Sequence, residues 1–247
     1  MRYFLDISYK GTNYHGWQIQ PNAHTVQAEL EGALTKLFRT PTQLTGSGRT
    51  DTGVHALQQV AHFDAQELMP PEQIAFKLNA MLPNDVVVKT CCEVQPTAHA
   101  RFDAIERGYI YRIKTERSPF GAHEWLYIRH KLDMDLLNEA SQTLVGTYDF
   151  ESFSKVKTEV NHFICDLRVA KWERNKDELV FHVRADRFLR GMIRALVGTL
   201  IEVGRGKLSV EEFVAIREAK DRRQAGKAAS PDGLYLNKVD YPLEIYR

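Results

Sequence analysis

Two stretches about two-thirds of the way along the chain constrain its fold most. Residues 165–174 and 178–185 alternate apolar and polar side chains with a period of two, and Asn175-Lys176-Asp177 between them is turn chemistry. Such alternation belongs to half-buried strands, and a short polar turn joins only antiparallel ones. Elsewhere strand-like segments are separated by helix-like ones, a pattern that by itself also suits a doubly wound parallel sheet. The hairpin and the irregular order favour an α+β class: a mixed, mostly antiparallel sheet with helices on one face.

Local signals place the other elements. Residues 2–9 alternate as a strand before the turn Lys10-Gly11-Thr12-Asn13. Thr25 is placed to cap a helix carrying Val26, Leu30, Ala33, Leu34, Leu37 and Phe38, which Pro41 cannot continue. A short strand is expected near 42–45 and another centred on Val60. Pro70-Pro71 opens a second helix with Ile74, Phe76, Leu78 and Met81, and 85–94 is a valine-rich strand. From Glu106 the pattern restarts: a strand through Tyr109, Tyr111 and Ile113, a helix over 133–145, the hairpin, and an amphipathic helix over 188–203 ended by Gly204. Ser209 and Glu212 form a capping box for a helix over 210–220, and a last strand over 234–241 follows Pro231-Asp232-Gly233. The restart suggests two similar halves around a central cleft. We expect an N-terminal half at 1–103 and a C-terminal half at 104–247.

With 247 residues, 43% of them apolar and 26% charged, the chain is long enough for a substantial core and lacks the signature of disorder. Its net charge of +1 does not advertise nucleic-acid binding, although an overall balance hides local patches. Cys91, Cys92 and Cys165 are an odd number with two adjacent, so reduced thiols are expected. His162 with Cys165 is a single pair of possible ligands, short of a zinc pattern, so no metal is expected. The N-terminus resembles no leader and no stretch reaches about 18 apolar residues, so a cytoplasmic protein with no membrane association is expected.

The chemistry is concentrated in Gly46–Ala56, GSGRTDTGVHA. Three glycines and several hydroxyl residues allow a tight bend, and Arg49 and Asp51 are displayed within it. The spacing fits neither a dinucleotide fingerprint, whose third glycine would fall at Asp51, nor a phosphate loop, which ends in Gly-Lys-Ser/Thr. Asp51 remains open as nucleophile, general base, metal ligand or turn residue, the last being the commonest use of such an aspartate.

The run GRTDTGVHA resembles the defining motif of the tRNA pseudouridine synthase A family, and other segments resemble the same family along nearly the whole chain. They are Tyr9 to Gln20 (YKGTNYHGWQIQ), Thr25 to Leu34, His99-Ala100-Arg101-Phe102, Tyr109-Ile110-Tyr111, Phe188 to Gly206, and Pro231 to Leu236. Gly108 before the tyrosine departs from the pattern and is expected to loosen that strand. The resemblance implies an isomerase that converts uridine to pseudouridine in the anticodon arm of tRNA, at positions 38 to 40, without cofactor or metal. It implies Asp51 as nucleophile, Arg49 as the residue that takes the extruded nucleotide's place, and Tyr109 as a wall against the uracil. Arg194 would be the basic partner that keeps the aspartate ionised, and Leu189 would reach the pocket wall. It implies a homodimer that shares the tRNA. His55 tempts a pairing with Asp51 but is expected to be structural.

Each residue also has a plainer use: Tyr109 as a strand aromatic, Arg194 as a solvated residue beside a core stripe, Phe188, Met192, Ile193, Leu196 and Leu200 as core. Basic residues at Lys155, Lys157, Arg184, Arg187, Arg190, Arg205, Lys207, Arg222, Arg223 and Lys227 are interleaved with Phe153, Phe163 and Phe188, which with the resemblance suggests a groove following RNA phosphates. Two competitors are a glycoside or nucleoside hydrolase, which needs a second carboxylate that no motif here supplies, and an RNA-binding protein without catalysis.

Overall fold

The computed structural model describes residues 1–66, 69–156 and 160–247. The chain forms two compact units, Met1–Glu106 with Tyr235–Arg247, and Arg107–Leu234. The chain leaves the first unit after Glu106 and returns to it at Tyr235.

In the first unit, β1 (Arg2–Tyr9) runs between β3 (His55–Asp64) and β4 (Val86–Val94), antiparallel to both, and β2 (Thr45–Gly46) pairs antiparallel with β3. The last strand of the chain, β10 (Leu234–Asp240), lies parallel to β3 through Tyr235↔His55 and Leu236↔Ala56. The turn Pro231-Asp232-Gly233 marked where the strand starts, but a local turn carries no information about the partner. Helix α1 (Val26–Phe38) starts where the Thr25 side chain accepts the Ala28 N–H at 3.4 Å, and it ends at Arg39 in a left-handed conformation just before Pro41. Helix α2 (Pro71–Asn79) packs on β4 through Ile74 and Leu78. Phe76, another apolar residue of this helix, is 76% exposed, because two residues from Ile74 is about 200° around a helix.

In the second unit, β5 (Glu106–Lys114) pairs antiparallel with β9 (Glu178–Ala185), β9 with β8 (Ile164–Asn175), and β8 with β7 (Gly146–Asp149), while β6 (Leu126–Tyr127) lies parallel to β5. The hairpin closes as expected, with Asn175 opposite Glu178 and Lys176 at φ 55°. Gly108 does not loosen β5: it sits opposite Arg184 in a register unbroken from Arg107 to Lys114. Helix α3 (Met134–Gln142), capped by the Asp133 carboxylate, packs on β8, and α4 (Met192–Gly204) and α5 (Val210–Glu218) pack on α3. The Ser209/Glu212 capping box forms in both directions. The sheets are mixed and mostly antiparallel, so the α+β class stands.

Helix α4 departs from expectation. It begins at Met192, four residues later than the apolar spacing suggested, because Gly191 at φ 71° breaks the chain out of helical geometry and serves as its N-cap. Met192, Ile193, Ala195, Leu196, Val197, Thr199, Leu200 and Ile201 are all buried, so the helix is enclosed on nearly every side. Among the described residues, no helix is long and apolar enough to cross a membrane.

Candidate active site

The GSGRTDTGVHA run leaves β2 and enters β3, whose antiparallel pairing (Thr45↔His62, Gly46↔Ala61) brings the loop's two ends together. Between them the backbone is tied down at nearly every step. The Ser47 N–H donates to the Val60 carbonyl at 2.7 Å. The fully buried Gln59 accepts from the Ser47 hydroxyl and donates to the Gly48 carbonyl at 3.0 Å. Val54 N–H closes a turn onto the Asp51 carbonyl at 3.1 Å, with Gly53 at φ 79°, the positive value that a type II turn needs at its third residue.

A second segment braces this loop from outside, and composition did not point to it. Thr50 is held twice: its hydroxyl lies 2.7 Å from the Tyr9 hydroxyl, and its carbonyl accepts the Trp17 N–H at 3.2 Å. Gly53 N–H donates to the Tyr14 carbonyl at 3.3 Å. Glycine is required at two places in the brace. A Cβ at Gly11 would stand 2.0 Å from the Val54 carbonyl oxygen, and one at Gly16, whose φ is 93°, would stand 2.4 Å from the Thr50 carbonyl oxygen and 3.2 Å from the Asp51 carbonyl carbon. Trp17, 2% exposed, packs its indole under Gly46. The YKGTNYHGWQ run, met in the sequence as a turn after the first strand and as a resemblance, is thus the mould of the aspartate loop. Its visible signal was two glycines flanking aromatic residues.

Buried Thr50 anchors the centre of the motif, with Arg49 exposed on one side and Asp51 half-exposed on the other. Anchoring Thr50 fixes the backbone from which a guanidinium and a carboxylate project on either side. His55 is buried, accepts the Gly11 N–H at Nδ1 (3.1 Å) and stacks on Tyr235 with centroids 4.6 Å apart. This is the structural role expected of it.

The other three candidates belong to the second unit. Tyr109 stands on β5 opposite Val183, half-buried, its ring edge-on to Phe188 at 5.2 Å and 85°. Tyr111, on the same strand face, is fully buried and donates its hydroxyl to the Ser230 carbonyl at 2.8 Å; burial raises its phenol above the ordinary range. Leu189 is 5% exposed and precedes α4 instead of lying within it, its carbonyl accepting the Met192 N–H at 3.1 Å.

Arg194, on the first turn of α4, is not a solvated residue. Its Nε donates to the Ala229 carbonyl at 2.7 Å, and the Ala229 N–H donates back to the Arg194 carbonyl at 2.8 Å. The segment 226–229 lies close against α4, with Gly198 so near Lys227 that a Cβ would stand 1.9 Å from its carbonyl oxygen. The backbone bond and this close approach hold the 226–229 segment on α4, and the Nε bond ties the guanidinium to it.

The basic residues fare unevenly. Arg205 and Lys207 pair with Glu202 at 3.1 and 3.8 Å, and Arg223 pairs with Asp221 at 2.8 Å, which offsets part of their charge. Lys227 and Arg205 line a groove of about 720 Å³ together with Arg129 and His130. Lys157 lies outside the described residues. Phe153, expected beside the basic stretches, is fully buried against Phe213 and belongs to the core. Burial pushes the Cys91 and Cys165 thiols up to about 12, so both stay protonated at neutral pH.

Comparison with known proteins accords with this geometry. The family described as tRNA pseudouridine synthase matches residues 7–103 and 140–242, which include the braced loop, α4 and β10. A tRNA pseudouridine synthase A of Bacteroides fragilis is 48% identical over 99% of this chain and 98% of its own length. The enzyme of that name from Bacteroides thetaiotaomicron is 47% identical over 99% of this chain and 92% of its own, and that of Bacillus pumilus 40% identical over 98% and 99%. With the family match spanning most of the chain and relatives aligned almost end to end, this protein belongs to the tRNA pseudouridine synthase A family, a family of isomerases.

Proposed function

We propose that the protein isomerises uridine to pseudouridine in the anticodon stem-loop of tRNA, at positions 38 to 40, with Asp51 as the nucleophile. The observation that carries this reading is the mould around Asp51: buried Thr50 beside it is held by Tyr9 and Trp17, and the turn after it is closed by Val54. A loop serving only as a surface turn has no need of a second segment shaped to it by Gly11 and Gly16.

The reaction breaks the bond from ribose C1′ to uracil N1 and makes one from C1′ to C5. N1 gains a proton and C5 loses one, so the product is an isomer of the substrate and no redox partner is consumed. Asp51 opens the glycosidic bond by attack on C1′, by addition to the base, or as the base in a route through a glycal. In each case the detached uracil has to be retained and turned. Tyr109, a flat ring steadied by Phe188, suits the wall against which the base turns, with Leu189 adding apolar surface. Exposed Arg49 would occupy the place that the extruded nucleotide leaves, since a guanidinium stacks and binds phosphate at once. Arg194, its Nε held by the Ala229 carbonyl, would supply the positive charge that favours an ionised aspartate. We also propose that the enzyme works in the cytoplasm as a homodimer.

The test is carbodiimide mapping and mass spectrometry of an unmodified tRNA transcript treated with wild type and with Asp51→Asn. Wild type is expected to convert uridine within positions 38 to 40, and the variant to bind the transcript without converting it. Product at the normal rate from Asp51→Asn would remove the aspartate from the mechanism.

A further inference from the structure

The segment His99-Ala100-Arg101-Phe102 has no part in the chemistry above, yet its construction is unusual. The Phe102 ring is 73% exposed. Single exposed apolar side chains are ordinary and by themselves mean nothing. This one is distinguished by the rigidity of its mounting. His99 Nδ1 accepts two backbone N–H groups, from Arg101 at 3.1 Å and from Phe102 at 3.3 Å, which places the ring's proton on Nε2. The Asp103 carboxylate accepts the His99 N–H at 2.8 Å, and the Asp103 N–H returns to the His99 carbonyl at 3.1 Å. The turn is tied to the first unit's strands on three sides: Arg2 donates to the Ala98 carbonyl at 2.9 Å, His62 Nδ1 accepts the Ala100 N–H at 3.1 Å, and the Tyr241 hydroxyl donates to the Ala100 carbonyl.

The surroundings of the ring are equally specific. His99 lies 4.3 Å from it, tilted by 36°, and the Arg101 guanidinium stands over it at 5.5 Å. An apolar ring that served only to pack would be buried, and one without a role would have no need of an immobilised turn. A displayed ring flanked by an imidazole and a guanidinium is a surface on which a nucleobase stacks, because every base offers a π-face and the cation serves the adjoining phosphate.

We propose that Phe102, steadied by His99 and accompanied by Arg101, is a stacking platform for an unpaired base of the RNA substrate. The proposal rests on the reading that the substrate is tRNA and adds a contact to it. No bond is made or broken there; the platform holds the RNA while the chemistry takes place at Asp51.

The test is fluorescence anisotropy with an unmodified tRNA transcript, in the Asp51→Asn background so that the substrate stays unconverted. Phe102→Leu keeps the apolar bulk and removes the aromatic face, and it is expected to weaken binding about 5- to 100-fold, the loss of one base–aromatic stack. Phe102→Trp is expected to bind within threefold of the parent or more tightly. A blunt RNA duplex of similar length, which offers no unpaired base, should bind the Leu and Phe proteins alike. Arg101→Ala should lower the slope of log K against log salt by about 0.7 to 0.9. Transcript binding by Phe102→Leu within twofold of the parent, or an equal loss in the Leu and Trp proteins, would overturn the platform. The functional reading is judged separately, by whether the wild type makes pseudouridine, so either idea can fail alone.

Discussion

Gly16→Ala is the sharpest perturbation available, because it adds one methyl group outside the catalytic motif and drives it into the motif's backbone. The added Cβ would stand 2.4 Å from the Thr50 carbonyl oxygen, against ordinary contact at 3.4 Å or more, so the two segments must separate by about 1 Å. The backbone compounds the conflict: φ at Gly16 is 93°, and a left-handed conformation costs an L residue about 1–2 kcal/mol. Strain and contact together should lower stability by about 2–3 kcal/mol, which still leaves a folded majority in a protein of ordinary stability. Asp51, whose carbonyl carbon would lie 3.2 Å from the new methyl, moves with its loop, and a misplacement of about 1 Å in a reacting group costs on the order of 100-fold in rate. Gly48→Ala is the control: it lies inside the motif, yet a Cβ there meets nothing within 4 Å. Single-turnover pseudouridine formation should fall 10- to 100-fold in Gly16→Ala and less than threefold in Gly48→Ala, with circular dichroism and urea melts confirming that both are folded. Equal rates in the two variants would refute the mould.

Three further outcomes can be measured. Burial first, then Arg2 and His99, hold the His62 imidazole down at about 4, below its ordinary 6.5, so as pH falls from 6.5 the unfolded chain takes up a proton that the folded one refuses. Urea-melt stability should be flat above pH 7 and drop by about 2 kcal/mol between pH 6.5 and 4, the full difference being reduced by solvent screening, and His62→Gln should lack that limb; superimposable profiles would contradict it. Ser209→Ala removes the capping box of α5 and should lower stability by about 1 kcal/mol, with no change in rate per folded molecule. Affinity for tRNA should fall steeply with added salt, and constant affinity across a fourfold rise in salt would exclude a phosphate-following surface.

Much of the architecture was legible because it rests on local patterns. Alternation marked β1, β8 and β9, Thr25 and Pro41 bounded α1, and Ser209 with Glu212 marked the start of α5. What escaped depends on backbone angle or partner, which side-chain patterns do not encode. The apolar spacing from Phe188 ran straight through Gly191, whose left-handed conformation starts α4 only at Met192. Phe153 sat among lysines in the sequence but in the core in space. In the site, the motif displayed Arg49 and Asp51 without showing what held them, because Gly11 and Gly16 act by what they lack. A residue whose contribution is a missing methyl group is visible only when its neighbour's carbonyl is seen two ångströms from where that methyl would be.

The return of β10 to the first unit bears on how the protein is made. The first unit is interrupted by Arg107–Leu234 and resumes at Tyr235, so roughly 130 residues must be synthesised between its two parts. At about 5–20 residues per second, that is a delay on the order of 10 s, during which β3 is paired with β1 at Ala56 but lacks its β10 partner at His55 and Ala56. For that interval His55 also lacks the Tyr235 ring on which it stacks, and it is His55 that accepts the Gly11 N–H in the mould of the aspartate loop. The nascent chain therefore carries the braces from Tyr9, Tyr14, Trp17 and Gln59 early, while the His55 end of the aspartate loop gains its ring and strand partners only once β10 has been made.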